Sequence, residues 1–227
     1  MKNLLLAIVI FVLGTSCTNN TESKTKTEET KVEFNQELAN ELTEMAVTDQ
    51  KAAWIPEGEF KEMSNEEWEE YKDSVFTTHQ KRLEEIFNKY GYPGYDLVGE
   101  DGSHDFWLMV QHCDFNPEFQ QKVLVEMEKE IKKGNASKKN YAYLIDRVRQ
   151  NTGGKLIYGT QVTYNEFGQA VPKSLEDSLN VNKRRAEVGL EPLEEYLNLM
   201  TQHHFEMNKE NMINRGITEP KLYKVNE

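Results

Sequence analysis

Residues 107–114 read "WLMVQHCD", four large apolar side chains running straight into Gln111, His112 and Asp114. Imidazole is the side chain best suited to moving protons near neutral pH, provided a partner holds its second nitrogen. On a helix, Gln111 and Asp114 share a face because they are three residues apart. His112 points about 100° away from Gln111, on the side of Leu108 and Phe115. His112 and Asp114, two apart, do not face each other, so a carboxylate that orients His112 within a regular helix has to come from elsewhere. The same cluster could equally be a polar network closing a helix end.

Two other stretches carry chemistry. Asp146 and Arg147 sit in "YAYLIDRV", a largely apolar helical run. Neighbours in sequence pair poorly on a helix, and burying either charge alone costs several kcal/mol, roughly. Each therefore needs a partner from another helix, and Arg147 with Asp114 or with Asp49 is the expected pairing. The guanidinium fork alternatively suits an anionic ligand. "YGTQ" at 158–161 presents the Tyr158 phenol, a hydroxyl and the Gln161 amide, groups that orient sugars, peptides or amides or that bond to neighbouring helices. The five histidines include no H-E-x-x-H pair, and there is no cysteine pair. Neither a metal nor a cofactor is expected. His79 lies on an apolar stripe and reads as a core histidine, and a site of His79, His112 and Asp114 is the weaker alternative.

These residues need a scaffold, and the pattern is mainly α. Phe34, Leu38, Leu42 and Met45 step at helical spacing, with Asp49 and Gln50 closing that first helix. Pro56 and Gly58 break the chain. "SNEE" supplies a capping box, Ser64 with Glu67. Trp68, Tyr71, Val75, His79, Leu83, Ile86 and Tyr90 then mark one long amphipathic helix. Residues 90–104 are rich in glycine and read as a turn between helices, followed by a short buried helix over 105–114. Asn116, Pro117 and Glu118 start the next helix, which Gly134 ends near Lys133. Another covers about 138–151. The period then shifts, and 155–173 predicts a small β-hairpin with Pro172 at an edge. Helices near 176–188 and 192–214 follow, jointed at Gly189 and Pro192. The expectation is a single helical domain over 34–227 with one hairpin.

Several phrases taken in order resemble an uncharacterised bacterial family, one of the domains of unknown function. They are "YGYPG" (90–94), "VGEDGS" (98–103), "WLMVQHCD", "FQ" (119–120), "LIDRV" (144–148), "YGTQ" and "RRAEVGLEPL" (184–193), with an upstream "DQ" at Asp49 and Gln50. The resemblance spans about 38–200. It implies no activity, but it marks Gln111, His112, Asp114, Asp146, Arg147, Tyr158, Gln161 and Arg185 as part of the pattern. Cys113 stands where the family commonly has alanine, which argues against a nucleophilic role. His79 stands where the family tends to have Asn or His.

The N-terminus predicts a destination. Lys2, an apolar run over residues 4–13 and "GTSC" form a signal peptide, too short to span a bilayer. Cys17 after small residues resembles a lipobox, although Gly14 stands where Leu or Val is usual. Residues 1–17 thus read as signal peptide with lipidation of Cys17, and 18–33 as a flexible polar tether. The protein is expected in the bacterial cell envelope, its membrane partner reached through the lipid. A formal net charge of −12 argues against a nucleic-acid partner. With two cysteines, one of them Cys17, the domain is held by its core and not by disulfides.

Three functions follow, and the sequence specifies no oligomeric state. The first is a binding module for a small polar or anionic ligand, using Gln111, Arg147, Tyr158, Gln161, Arg185, Asp49 and Gln50. The second is a hydrolase-like enzyme with His112 as base and Asp114 or Asp146 as orienter or acid. The third is a structural or interaction protein without a pocket. Catalysis requires an open pocket and a histidine within hydrogen-bond reach of a carboxylate; binding requires only the pocket.

Overall fold

The computed structural model describes residues 32–225. The expected signal peptide, Cys17 and nearly all of the tether lie outside the described residues. Helix α1 (Gln36–Ala53) opens on Asn35, whose side chain accepts from Leu38 N–H, and buries Leu38, Leu42, Ala46 and Asp49. After a 3-10 turn over Gly58–Glu62, Ser64 and Glu67 close the expected capping box on α2 (Asn65–Tyr90).

Helix α3 (Tyr95–Gln111) departs from expectation, since most of the glycine-rich stretch is helical. Gly99 alone leaves helical geometry, at φ 76° and ψ 174°, so one residue absorbs the break. Gly102 serves packing: a Cβ there would come within 2.9 Å of Val98 Cβ and 3.6 Å of Ala39 Cα. Glycine density was thus a signal for close helix contact. Gly94 brings no side chain to the N-cap, and Asn135 substitutes, its Oδ1 accepting from Asp96 N–H at 2.9 Å.

Helix α4 (Pro117–Lys132) starts on Asn116 and Pro117 and is followed by Gly134 at φ 76°, as expected. Helix α5 (Lys138–Asn151) supplies Asp146 and Arg147. The main core gathers Leu42, Leu83, Ile86, Phe106, Val110, Val123, Met127 and Leu144 from α1 to α5.

The hairpin is shorter than predicted: β1 (Val162–Tyr164) pairs antiparallel with β2 (Ala170–Pro172), Thr163 opposite Val171. Residues 155–161 are β-like in composition yet lie outside both strands. Leu156 and Gln161 pair with the backbone of 173–176, and side chains satisfy much of the backbone between them. Asp146 accepts from three of its amides, while Arg184, Arg185 and Tyr196 donate to the carbonyls of Ile157, Tyr158 and Thr160. Helix α6 (Val181–Glu187) begins late because Asp177 accepts from the N–H groups of Leu179 and Asn180, forming a local turn. The final predicted helix divides at Asn208 into α7 (Leu193–Met207) and α8 (Lys209–Asn214). A second core joins Ala170, Val181, Leu193, Tyr196 and Leu197, and Tyr143 packs against both cores. Among the described residues no helix is long and apolar enough to cross a membrane.

Candidate functional site

Helices α1 and α3 lie side by side and parallel. Asn35 N–H donates to Leu97 O, Ala39 faces Gly102, Thr43 Oγ1–H donates to Asp105, and Asp49 meets His112, so each level pairs residues about sixty apart. This register delivers the carboxylate His112 needs. His112 is the C-cap of α3, and its Nδ1 lies 2.6 Å from Asp49 Oδ2. Asp49 is fully buried, and His112 is 19% exposed at its side chain, its ring packed on Phe76 at 5.0 Å.

Burial pushes the Asp49 carboxyl up, but the hydrogen bond from His112, the nearby His79 and His112 rings and Gln50 Nε2–H together hold it below the ordinary aspartate value. An ionised carboxylate only accepts, so Nδ1 of His112 carries the hydrogen, an assignment that follows from its partner. In the neutral ring Nε2 then holds the lone pair, and no described residue bonds to it. This is the arrangement of a general base.

A groove of about 740 Å³ is reached from the pair through Gln50, which donates to Asp49; neither Asp49 nor His112 itself lines it. Ala46, Val47, Trp54 and Ile55 form one wall, Phe60 another, and His104 and Leu108 on α3 the third. His104 and Leu108 bring α3 to the groove, and His112, one turn beyond Leu108, is not among the lining residues. Phe60 packs in tilted contact on Trp68 and Tyr71, ring centroids 5.6 and 4.9 Å away, which fixes the 3-10 turn against α2.

The other sequence candidates do not line this groove, except Gln50. Asp114 does not orient His112. It takes the Arg147 fork at 2.8 and 2.7 Å, together with Asn151 and Gln120 amides, which joins the end of α3 to α5. Burial raises the Asp114 carboxyl, and Arg147 more than reverses this, leaving it low. With its Nε and Nη2 both on Asp114, Arg147 pairs as expected. Asp146 does not orient His112 either: fully buried, it accepts from the amides of Ile157, Tyr158 and Thr160 and from the Thr160 hydroxyl. Arg185 is fully buried on the carbonyls of Glu191 and Tyr158 and over the Tyr196 ring, at 5.0 Å. Tyr158 and Gln161 are half-buried, and neither lines the groove. Gln111 is buried, and with its oxygen turned to Trp107 it accepts from the indole N–H at 3.0 Å. Burial pushes the Cys113 thiol up to about 12, with Asp49 and Asp114 adding to the effect, so it is no nucleophile.

Sequence reasoning had Asp49 as a ligand residue and missed it as the partner of His112. A signal was present: Leu38, Leu42, Met45 and Asp49 step by four, three and four, which sets a carboxylate on the buried stripe of α1. Trp54 and Ile55, more than half exposed, were a second missed signal, being large apolar residues directly after a helix.

The model of a family of unknown function, DUF6624, matches residues 36–207. The chain belongs to that family. The match takes in Asp49, His79, His112, Arg147 and Arg185 and stops at the end of α7. No curated protein and no solved structure matches the chain.

Proposed function

We propose that the Asp49/His112 pair is a proton-transferring site acting on a small ligand whose apolar part lies in the groove between α1, α3 and the 54–60 segment. The carrying observation is the 2.6 Å contact that fixes His112 Nδ1 on a buried carboxylate and leaves Nε2 without a partner among the described residues, while Gln50, which donates to the same carboxylate, lines the groove. This favours the hydrolase-like reading over simple binding, with Asp49 in the orienting role. The residues expected to clamp an anion are engaged with one another or with backbone.

In this reading His112 Nε2 takes a proton from water as the water oxygen bonds to an electrophilic carbon of the ligand. The proton then passes from Nε2 to the departing oxygen. Asp49 stabilises the imidazolium between the two transfers without itself accepting a proton.

The test is hydrolysis of a panel of aryl and acyl esters with graded apolar chains. kcat/KM should fall by about a hundredfold or more in His112→Gln, and Trp54→Ala should raise KM with kcat little changed. A panel turned over no faster than in buffer, or equally well by His112→Gln, overturns the reading.

We further propose delivery to the cell envelope through lipid on Cys17. The support is the charged start, the apolar run and the small residues before Cys17. Labelled palmitate should enter the full-length protein expressed in a bacterial host and should not enter Cys17→Ser. Equal labelling of both contradicts the proposal.

A further inference from the structure

Asp49 faces a second imidazole. His79 Nδ1 lies 3.6 Å from Asp49 Oδ1, with side-chain exposures of 12% and 1%. Both atoms are buried, and neither has a hydrogen-bond partner among the described residues. Elsewhere the carboxylates in this region are well supplied: Asp146 and Asp114 each accept on both oxygens. A buried donor and a buried acceptor left unjoined cost about 1–3 kcal/mol. Here they face each other across less than about 1 Å beyond hydrogen-bond reach, a gap that a small ring rotation closes.

Helix α2 supports both ends of this arrangement. Phe76 packs on the His112 ring, and His79, one turn later, presents Nδ1 to the far oxygen of the same carboxylate. A carboxylate gripped at one oxygen can pivot about its Cβ–Cγ bond. One gripped at both has its plane fixed.

We propose that His79 is the positioning residue of the site: by donating Nδ1–H to Asp49 Oδ1 it fixes the carboxylate plane that presents Oδ2 to His112. This rests on the reading of Asp49 and His112 as a proton-transferring pair. The sequence expectation of a core histidine describes its surroundings but not this orientation.

The consequence falls on the tautomer of His112. With the carboxylate plane fixed, His112 carries its hydrogen on Nδ1 and exposes the lone pair of Nε2. With the plane free, the ring relaxes toward the Nε2–H form that imidazoles favour in water, and Nε2 loses its nucleophilicity.

The experiment uses full-length protein with 15N-labelled histidine rings, together with site-resolved mass spectrometry of carbethoxylation by diethyl pyrocarbonate. His79→Phe keeps a ring and removes the donor; His79→Asn places an amide N–H where Nδ1 stood. Wild type and His79→Asn should show the Nδ1–H tautomer at His112. His79→Phe should show the Nε2–H form, with His112 carbethoxylation slower by about threefold or more. His79→Leu carries the same expectation should the Phe variant fail to fold. A donor-less variant that folds and keeps both the wild-type tautomer and the wild-type rate overturns the proposal, whatever its melting temperature. An Nε2–H tautomer in the wild type is a different failure, because it removes the Asp49/His112 reading itself and leaves His79 nothing to position.

Discussion

Asp49 and Asp146 are both fully buried aspartates, and their surroundings separate two kinds of residue. Asp146 receives three amides and a hydroxyl that have no other strand to pair with. Asp146→Ala strands those donors, so unfolding in urea should show a loss of about 3–5 kcal/mol. Asp49 meets imidazoles and leaves one oxygen without a hydrogen-bond partner among the described residues. The cost of burying its charge is of the same order as the attraction it returns, so Asp49→Asn should stay within about 1 kcal/mol of wild type in the same measurement. Equal, large losses for both variants would make Asp49 a structural residue.

At the scale of elements, the decisive contact is the parallel packing of α1 on α3, because it alone brings Asp49 to His112. Gly102 faces Ala39 across it, where an added Cβ would stand 3.6 Å from Ala39 Cα. Gly102→Leu should force the helices apart, cost about 2 kcal/mol by calorimetry, and slow carbethoxylation of His112, which is ten residues further along α3. A destabilised variant with His112 reacting at the wild-type rate would show that the register survives without this contact. The 3-10 turn depends on a different anchor, the packing of Phe60 on Trp68 and Tyr71, which holds one wall of the groove.

For the molecule as a whole, acid stability follows from two carboxyls. Asp49 and Asp114 both lie below their ordinary values when folded. In acid the unfolded chain therefore binds protons before the folded one does. The stability these groups contribute is complete above about pH 5, and it is lost as pH falls through their lowered folded values. Urea midpoints should be flat from neutrality to about pH 5 and fall below about pH 4, and the fall should be shallower in Asp114→Asn. An acid limb of equal steepness in that variant contradicts the assignment for Asp114.

Much of this scaffold was legible in the sequence, because caps and stripes are local. Ser64 with Glu67, Asn116 with Pro117, and the stripe from Trp68 to Tyr90 all act within a few residues. The Arg147 partner was legible as well, since a charge in an apolar helix demands one. The fold of 90–104 was not, because glycine signals a turn and close packing alike. Residues 155–161 misled for a related reason: strand composition says nothing about whether another strand or a buried aspartate takes the amides. The site was half legible. His112 stood out at the end of an apolar run, whereas its orienting carboxylate lies 63 residues away and is reached only through helix packing.

The most direct test of the central claim is the rate of His112 carbethoxylation, resolved by mass spectrometry, in wild type and Asp49→Asn. His203, exposed on α7, serves as the internal reference. Wild-type His112 should react, and Asp49→Asn should slow it by about tenfold while His203 and the circular dichroism spectrum stay unchanged. An unreactive wild-type His112, or one whose rate is indifferent to Asp49→Asn, contradicts the claim.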